Sequence, residues 1–180
     1  LADGVYIDVY NLHTDAGTKD GDLAARKANL AQLADYILAQ SKDQPVVVFG
    51  DTNTRYTRAG DSVRDFAART GMTDSWIQYV RKGNPPAAGA DALVCDLEKT
   101  NNDCEVVDKI FFRGNNLLKL DLVKFQTESD AFRGPNGQLS DHVPISSTFS
   151  WSVNPALRQS ASIGGPWGFP FTDVNVVPTG

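Results

Sequence analysis

No stretch of the 180-residue sequence approaches the roughly 20 apolar residues that a helix needs to span a bilayer. Low-complexity tracts and internal repeats are missing, which removes repeat architectures and disordered tails as explanations of the whole. No run of Lys and Arg occurs, and 17 basic against 22 acidic residues leave a formal net charge of −5. A protein that holds nucleic acid by its phosphates carries a basic footprint. Its absence argues against a pure DNA-binding module but not against a nuclease, because bound divalent cations offset acidic charge locally. There is no Asn-x-Ser/Thr glycosylation acceptor, and the chain has only two histidines and two cysteines. Zinc sites with four protein ligands need more of these residues at closer spacing. Cys95 and Cys104 lie in a stretch rich in Asp and Asn, where a disulfide closing a short loop, with the oxidising compartment it implies, is favoured over two free thiols.

What remains is an ordinary globular composition, 41% hydrophobic and 22% charged, long enough for one sizeable core. Val5, Ile7 and Val9 alternate with polar neighbours and predict a strand ending near His13. The sequence is thus within a strand pattern almost from Leu1, as a processed or truncated piece would be. Asp22 is the expected N-cap of a helix over 22–40, with Leu23, Leu30, Leu33, Ala34, Ile37 and Leu38 on one face. Val46, Val47, Val48 and Phe49 form an apolar run typical of a strand buried on both faces, ending at Gly50. Asp61 or Ser62 is expected to cap a shorter helix stopping at Gly71, and Asp74 to start another over 76–80. A long loop over 83–104 precedes strands at 106–112, 117–125 and 143–151. This order predicts an α/β fold with an antiparallel or mixed part.

Three polar clusters fall at strand ends: Asn11-Leu12-His13, Gly50-Asp51-Thr52-Asn53 and Ser140-Asp141-His142. Ends of strands are where α/β sheets gather catalytic groups. Asp51 and Asn53, two apart on extended backbone, point to one side and offer an anionic oxygen and an amide. Taken alone, the same triplet also reads as the cap of a turn. A histidine whose tautomer is fixed by a carboxylate can take a proton from water near neutral pH, although an isolated Asp-His pair reads equally as a surface turn. Asp108 interrupts an apolar strand, so its charge must be paired, either by an imidazole or by a structural arginine, or face solvent.

In order and spacing, Asn11-Leu12-His13, Gly50-Asp51-Thr52-Asn53, Val107-Asp108-Lys109-Ile110-Phe111 and Ser140-Asp141-His142-Val143-Pro144 resemble the endonuclease/exonuclease/phosphatase superfamily of DNase-I-like proteins. The stretch around His13 and the Cys95/Cys104 loop look most like secreted fungal members. The resemblance implies part of a four-layer α/β sandwich and hydrolysis of phosphoesters, in nucleic acid or phospholipid head groups, with Mg²⁺ (or Mn²⁺ or Ca²⁺). It implies that His142 is the general base, oriented by Asp108. Asp51 would position water, Asn53 the phosphate, and His13 would stabilise the phosphoryl charge. Asp51, Asn53 and Asp141 would face the metal.

The family's early Asn and metal-binding Glu have no counterpart here, so residues 1–152 are expected to be the C-terminal part of the catalytic domain, partnered by an N-terminal half. One face of its sheet is then expected to lack cover, since only about three helices are available for a strand apolar on both sides. Residues 153–180 read as a linker ending in a strand at 173–177. Residues 162–173, with Gly164-Gly165-Pro166-Trp167-Gly168, resemble the opening of jacalin-like lectins, which implies a glycan partner. The rival reading is a non-catalytic carbohydrate-binding or scaffold protein carrying a degenerate phosphoesterase domain, distinguishable by the absence of metal-dependent turnover.

Overall fold

The computed structural model describes Leu1 and residues 4–158; the expected strand at 173–177 and the lectin-like segment lie outside these residues. Strand β1 (Asp8–His13) is followed by helix α1 (Asp20–Gln40) and strand β2 (Val46–Asp51). Helix α2 (Val63–Thr70), a short strand β3 (Thr73–Asp74) and helix α3 (Ser75–Tyr79) lead to β4 (Asp108–Arg113) and β5 (Leu118–Thr127). A small hairpin, β6 (Arg133–Gly134) and β7 (Gly137–Gln138), precedes β8 (Ile145–Val153) and a terminal turn of helix, α4 (Pro155–Arg158).

A four-stranded sheet has the order β1-β2-β4-β3, with β1 and β2 parallel and the other pairs antiparallel. On one face, Val46, Val48 and Phe111 pack against Leu30, Ala34 and Ile37 of α1, Val63 and Phe66 of α2, and Trp76 and Ile77 of α3. Each such aliphatic or aromatic side chain contributes about 1.5–3 kcal/mol when fully buried. The opposite face is not bare, as the sequence had suggested. Val47 and Phe112 pack beneath Leu118, Leu120, Phe149 and Val153 of the β5–β8 pair. A bulge between Leu122 and Lys124 reverses the inward parity of β5. Leu118 and Leu120 before it and Phe125 after it are therefore all buried. That cover stops short: Val9 and Phe49, on the same face, remain 60% and 40% exposed.

One cap differs from expectation, and a second is settled between its two candidates. Asp22 is not the N-cap of α1; it lies in the first turn, where its carboxylate accepts the Lys19 N–H at 3.0 Å. Ser62 holds the N-cap position of α2 without a side-chain bond, while Asp61 is drawn away by arginines. Asp74 does cap α3, accepting from the Trp76 and Ile77 N–H groups, and its burial pushes its carboxyl above the ordinary range.

Candidate active site

The register of the sheet builds a polar row. His13 pairs with Asp51 across β1 and β2, and Asp51 pairs with Asp108 across β2 and β4. Neighbours paired this way point to one face, so three chemically active residues stand side by side on the partly uncovered side of the sheet. Gly50 permits the approach of β1: its φ is +135°, and a Cβ there would stand 2.0 Å from the Leu12 carbonyl oxygen. No other residue fits the position that introduces Asp51.

After Asp51 the chain turns sharply. Asn53 adopts φ +47°, which asparagine tolerates better than most residues. The turn is pinned on both sides: Thr14 Oγ1 donates to the Thr52 carbonyl at 2.5 Å, and Thr52 Oγ1 donates to the Val107 carbonyl at 2.7 Å. Asp51 Oδ1 accepts the Asn53 N–H at 2.7 Å, and Asn53 Nδ2 donates to Asp51 Oδ2 and to the Thr14 carbonyl, each at 3.0 Å. The turn-capping role that this triplet suggests by itself is therefore present, together with a fixed orientation of the Asp51 carboxylate.

His142 arrives from the loop before β8. Its Nδ1 lies 2.6 Å from Asp108 Oδ2, so an Nδ1–H donated to the carboxylate leaves Nε2 as the basic nitrogen. That Nε2 faces Asp51 Oδ2 at 3.8 Å, and His13 Nε2 lies 3.4 Å from the same oxygen. The hydrogen bond to Asp108 raises the His142 pKa against a smaller opposing effect of burial, and the charges of Asp108, Asp51 and Asp141 add to the rise. His13, Asp51, Asn53, Asp108 and His142 are thus gathered in one place. Asp141 is exposed, its carboxylate 3.5 Å from Ser140 Oγ. Among the described residues Asp51, Asp108 and His142 also form a group of possible ligands, with ligand atoms within 4.8 Å of one another.

Four buried charged residues support these loops from beneath. Arg26 is 1% exposed and donates to the Asp15 and Gly17 carbonyls at 2.9 and 3.0 Å, fixing the loop that follows His13. Its other nitrogen meets Asp61 at 3.4 Å, and Asp61 also accepts from the Arg55 N–H and from Arg58 Nε. Arg58 in turn donates to the Asn53 carbonyl. Glu105 accepts from the Tyr56 and Thr57 backbone, with Lys109 Nζ 3.9 Å away over the Tyr56 ring. Spacing could have flagged Arg26, which falls four residues before Leu30 on the buried stripe of α1. Nothing local to Asp61 or Glu105 signals burial.

A sequence model of Endonuclease/Exonuclease/phosphatase family 2 matches residues 1–101. The chain is similar to a sphingomyelinase of Mycobacterium tuberculosis, 37% identical over 160 residues, covering 88% of this chain and 31% of that protein. It therefore spans about a third of the length of the curated relatives it matches. In structure it is similar to the human Nocturnin catalytic domain with a bound sulfate anion, at a TM-score of 0.53 and 18% identity over 79% of this chain and 46% of that one. A mannosyl-6-phosphatase of Bacteroides thetaiotaomicron gives 0.52 and 18% over 78% and 50%. The described residues have the DNase-I-like α/β fold.

Proposed function

Because the chain belongs to the endonuclease/exonuclease/phosphatase family, we propose that its polar row serves hydrolysis of a phosphoester by water, with His142 as general base. The observation that carries this reading is the 2.6 Å contact of His142 Nδ1 with Asp108, which directs the basic Nε2 toward Asp51. Asp51, held by Asn53, orients the water, and Nε2 takes its proton as the oxygen attacks phosphorus. Asn53 would reach a phosphoryl oxygen only by releasing the Thr14 carbonyl, since both its amide hydrogens are otherwise taken. His13, 74% exposed at the rim, meets the charge developing there.

A divalent cation, Mg²⁺ or in its place Mn²⁺ or Ca²⁺, supplies positive charge to the phosphoryl oxygens when bound. The donors fit a hard cation: Asp51 and Asp141 offer carboxylates, and Asn53, its Nδ2 committed to Thr14 and Asp51, has its amide oxygen left over. Water and phosphate oxygens would complete the shell of such an ion, while the exposed Val9 and Phe49 on the same face of the sheet call for cover. These exposed side chains support residues 1–152 as the C-terminal part of a domain completed by an N-terminal half. A phospholipid head group is favoured over nucleic acid, on the similarity to a sphingomyelinase and the net charge of −5. The joined Cys95 and Cys104 support an extracellular setting. Among the described residues no helix is long and apolar enough to cross a membrane.

Turnover of a phosphodiester in H₂¹⁸O with a divalent cation tests the reading. The expected product is a phosphomonoester carrying one ¹⁸O. Label found only in the alcohol, or no turnover with any of the three cations in the completed domain, would refute it.

A further inference from the structure

The loop that delivers His142 is anchored on its β8 side, where Val143 is buried and the Glu128 N–H donates to the Pro144 carbonyl at 2.7 Å, but little holds the stretch before it. Between the end of β5 and His142 the only regular structure is the β6–β7 hairpin, two residues a side, and so short a ladder is marginal by itself in water. Its hold comes from the disulfide loop. Cys95 and Cys104 are bonded, with Cα atoms 5.8 Å apart, and the loop between them turns through the 3₁₀ segment Leu97–Lys99. From that segment the Glu98 carboxylate reaches both strands of the hairpin. One oxygen pairs with the Arg133 guanidinium on β6, and the other accepts the Gln138 N–H on β7 at 3.2 Å. Between them, a Cβ at Gly137 would stand 2.9 Å from Glu98 Oε1, so the glycine that makes the turn, at φ +108°, also leaves room for the carboxylate.

Further bonds tie the same two loops. Ser129 Oγ donates to the Thr100 carbonyl at 2.8 Å and Asn102 Oδ1 accepts the Thr127 N–H at 2.8 Å; within the hairpin loop itself, Gln138 Nε2 donates to the Ser129 carbonyl at 2.9 Å. Asp108, by contrast, is fixed by the central sheet. The contact between Asp108 and His142 therefore joins a rigid partner to one held from one side by the start of β8 and from the other by the strap.

We propose that Glu98 is a positioning residue: held by the Cys95–Cys104 loop, it clamps the β6–β7 hairpin and so sets His142 against Asp108. An exposed ion pair alone would contribute little. Here the carboxylate also supplies the acceptor for a backbone N–H on the opposite strand, and its own loop is closed by a covalent bond. The inference rests on the hydrolytic reading for its kinetic consequence, and on geometry alone for its structural one.

The test compares wild type with Glu98→Ala and Glu98→Gln, the latter keeping an acceptor for the Gln138 N–H. Amide exchange of Gln138 and the ring signal of His142, one of two histidines in the chain, report the strap without any assay. Turnover of a phosphodiester in the completed domain reports its effect. Glu98→Ala should speed Gln138 exchange about tenfold, the scale of losing a hydrogen bond to a charged group. The His142 signal should shift, and kcat should fall about threefold or more with little change in melting temperature. Glu98→Gln should recover most of each effect, and reducing the disulfide in the wild type should reproduce them. Unchanged exchange and an unshifted His142 signal in Glu98→Ala would overturn the strap. Faster exchange with full kcat would overturn the positioning role. If the wild type hydrolyses no phosphoester, the hydrolytic reading fails, and the exchange and ring signals still decide the strap.

Discussion

Replacing Asp108 with asparagine removes one negative charge from the start of β4 and leaves the shape nearly unchanged. Two consequences oppose each other in stability. The short bond to His142 loses its charged acceptor, and such bonds contribute about 1.5–3 kcal/mol. Against this, Asp108 pairs directly with Asp51 across the sheet, and like charges so placed repel. The folded state should therefore change by only about 1 kcal/mol. Turnover should change far more. If the oxygen of the introduced amide takes the place of the carboxylate, the imidazole keeps its tautomer but loses basicity, and the loss sits near 10²-fold, the lower end for a general base. If the amide nitrogen faces Nδ1, the proton moves to Nε2 and the loss approaches about 10⁴-fold. The pH dependence adds a sign. His142 must be neutral to act, and its pKa is raised chiefly by its hydrogen bond to Asp108, so the acid limb of the rate profile moves down in Asp108→Asn. The raised pKa also stabilises the fold fully below the ordinary histidine value, an increment lost as pH rises through the folded-state value. The melting-temperature gap between wild type and variant should thus be wider at acid than at alkaline pH. The assay is turnover of bis(p-nitrophenyl) phosphate with Mg²⁺ by wild type, both single variants and the double variant with His142→Ala. Losses that add fully in the double variant, or an acid limb that stays put, would show that Asp108 does not act through the imidazole.

Asp61→Ala leaves Arg26 and Arg58 without their shared carboxylate in a site 1% exposed, so the melting temperature should drop sharply, by the roughly 3–5 kcal/mol typical of breaking a buried pair; a change under about 1 kcal/mol would show that the network is dispensable. Neither Cys95 nor Cys104 should react with an alkylating reagent in native, non-reduced protein, as mass spectrometry can show. Calorimetric titration of Mg²⁺ or Mn²⁺ into the 180-residue chain should find only weak binding, because Asp51, Asn53 and Asp141 offer too few ligands; tight stoichiometric binding with full activity by a monomer would contradict the half-domain proposal.

The large elements were legible because their signals are local. The stripe through Leu30, Ala34 and Ile37 and the apolar run of β2 each declare one element. The polar clusters were legible as strand ends, and Asp108 as a charge that needed a partner. Which partner it takes depends on a pairing 34 residues apart, which no periodicity encodes. The cover that β5 and β8 give to Val47 and Phe112 was missed for the same reason, since it needs the bulge after Leu122 as well as long-range packing. Asp61 stood beside Ser62 as a candidate helix cap because both residue types favour that position, and Ser62 takes it. The two oxygens of Asp61 went instead to Arg26, Arg55 and Arg58, where buried donors compete harder for a carboxylate than a solvated helix end does. The clamp of Glu98 on the hairpin belongs to this class too, a contact between loops that sequence spacing does not record.

The central claim is that His142 is the base that activates water. Its most direct test is the turnover of a phosphodiester with a divalent cation by the completed domain, wild type against His142→Ala. The variant should retain the fold, since His142 sits 40% exposed on a loop, and should lose activity by about 10²-fold or more across the neutral range. Wild-type turnover in His142→Ala would contradict the account.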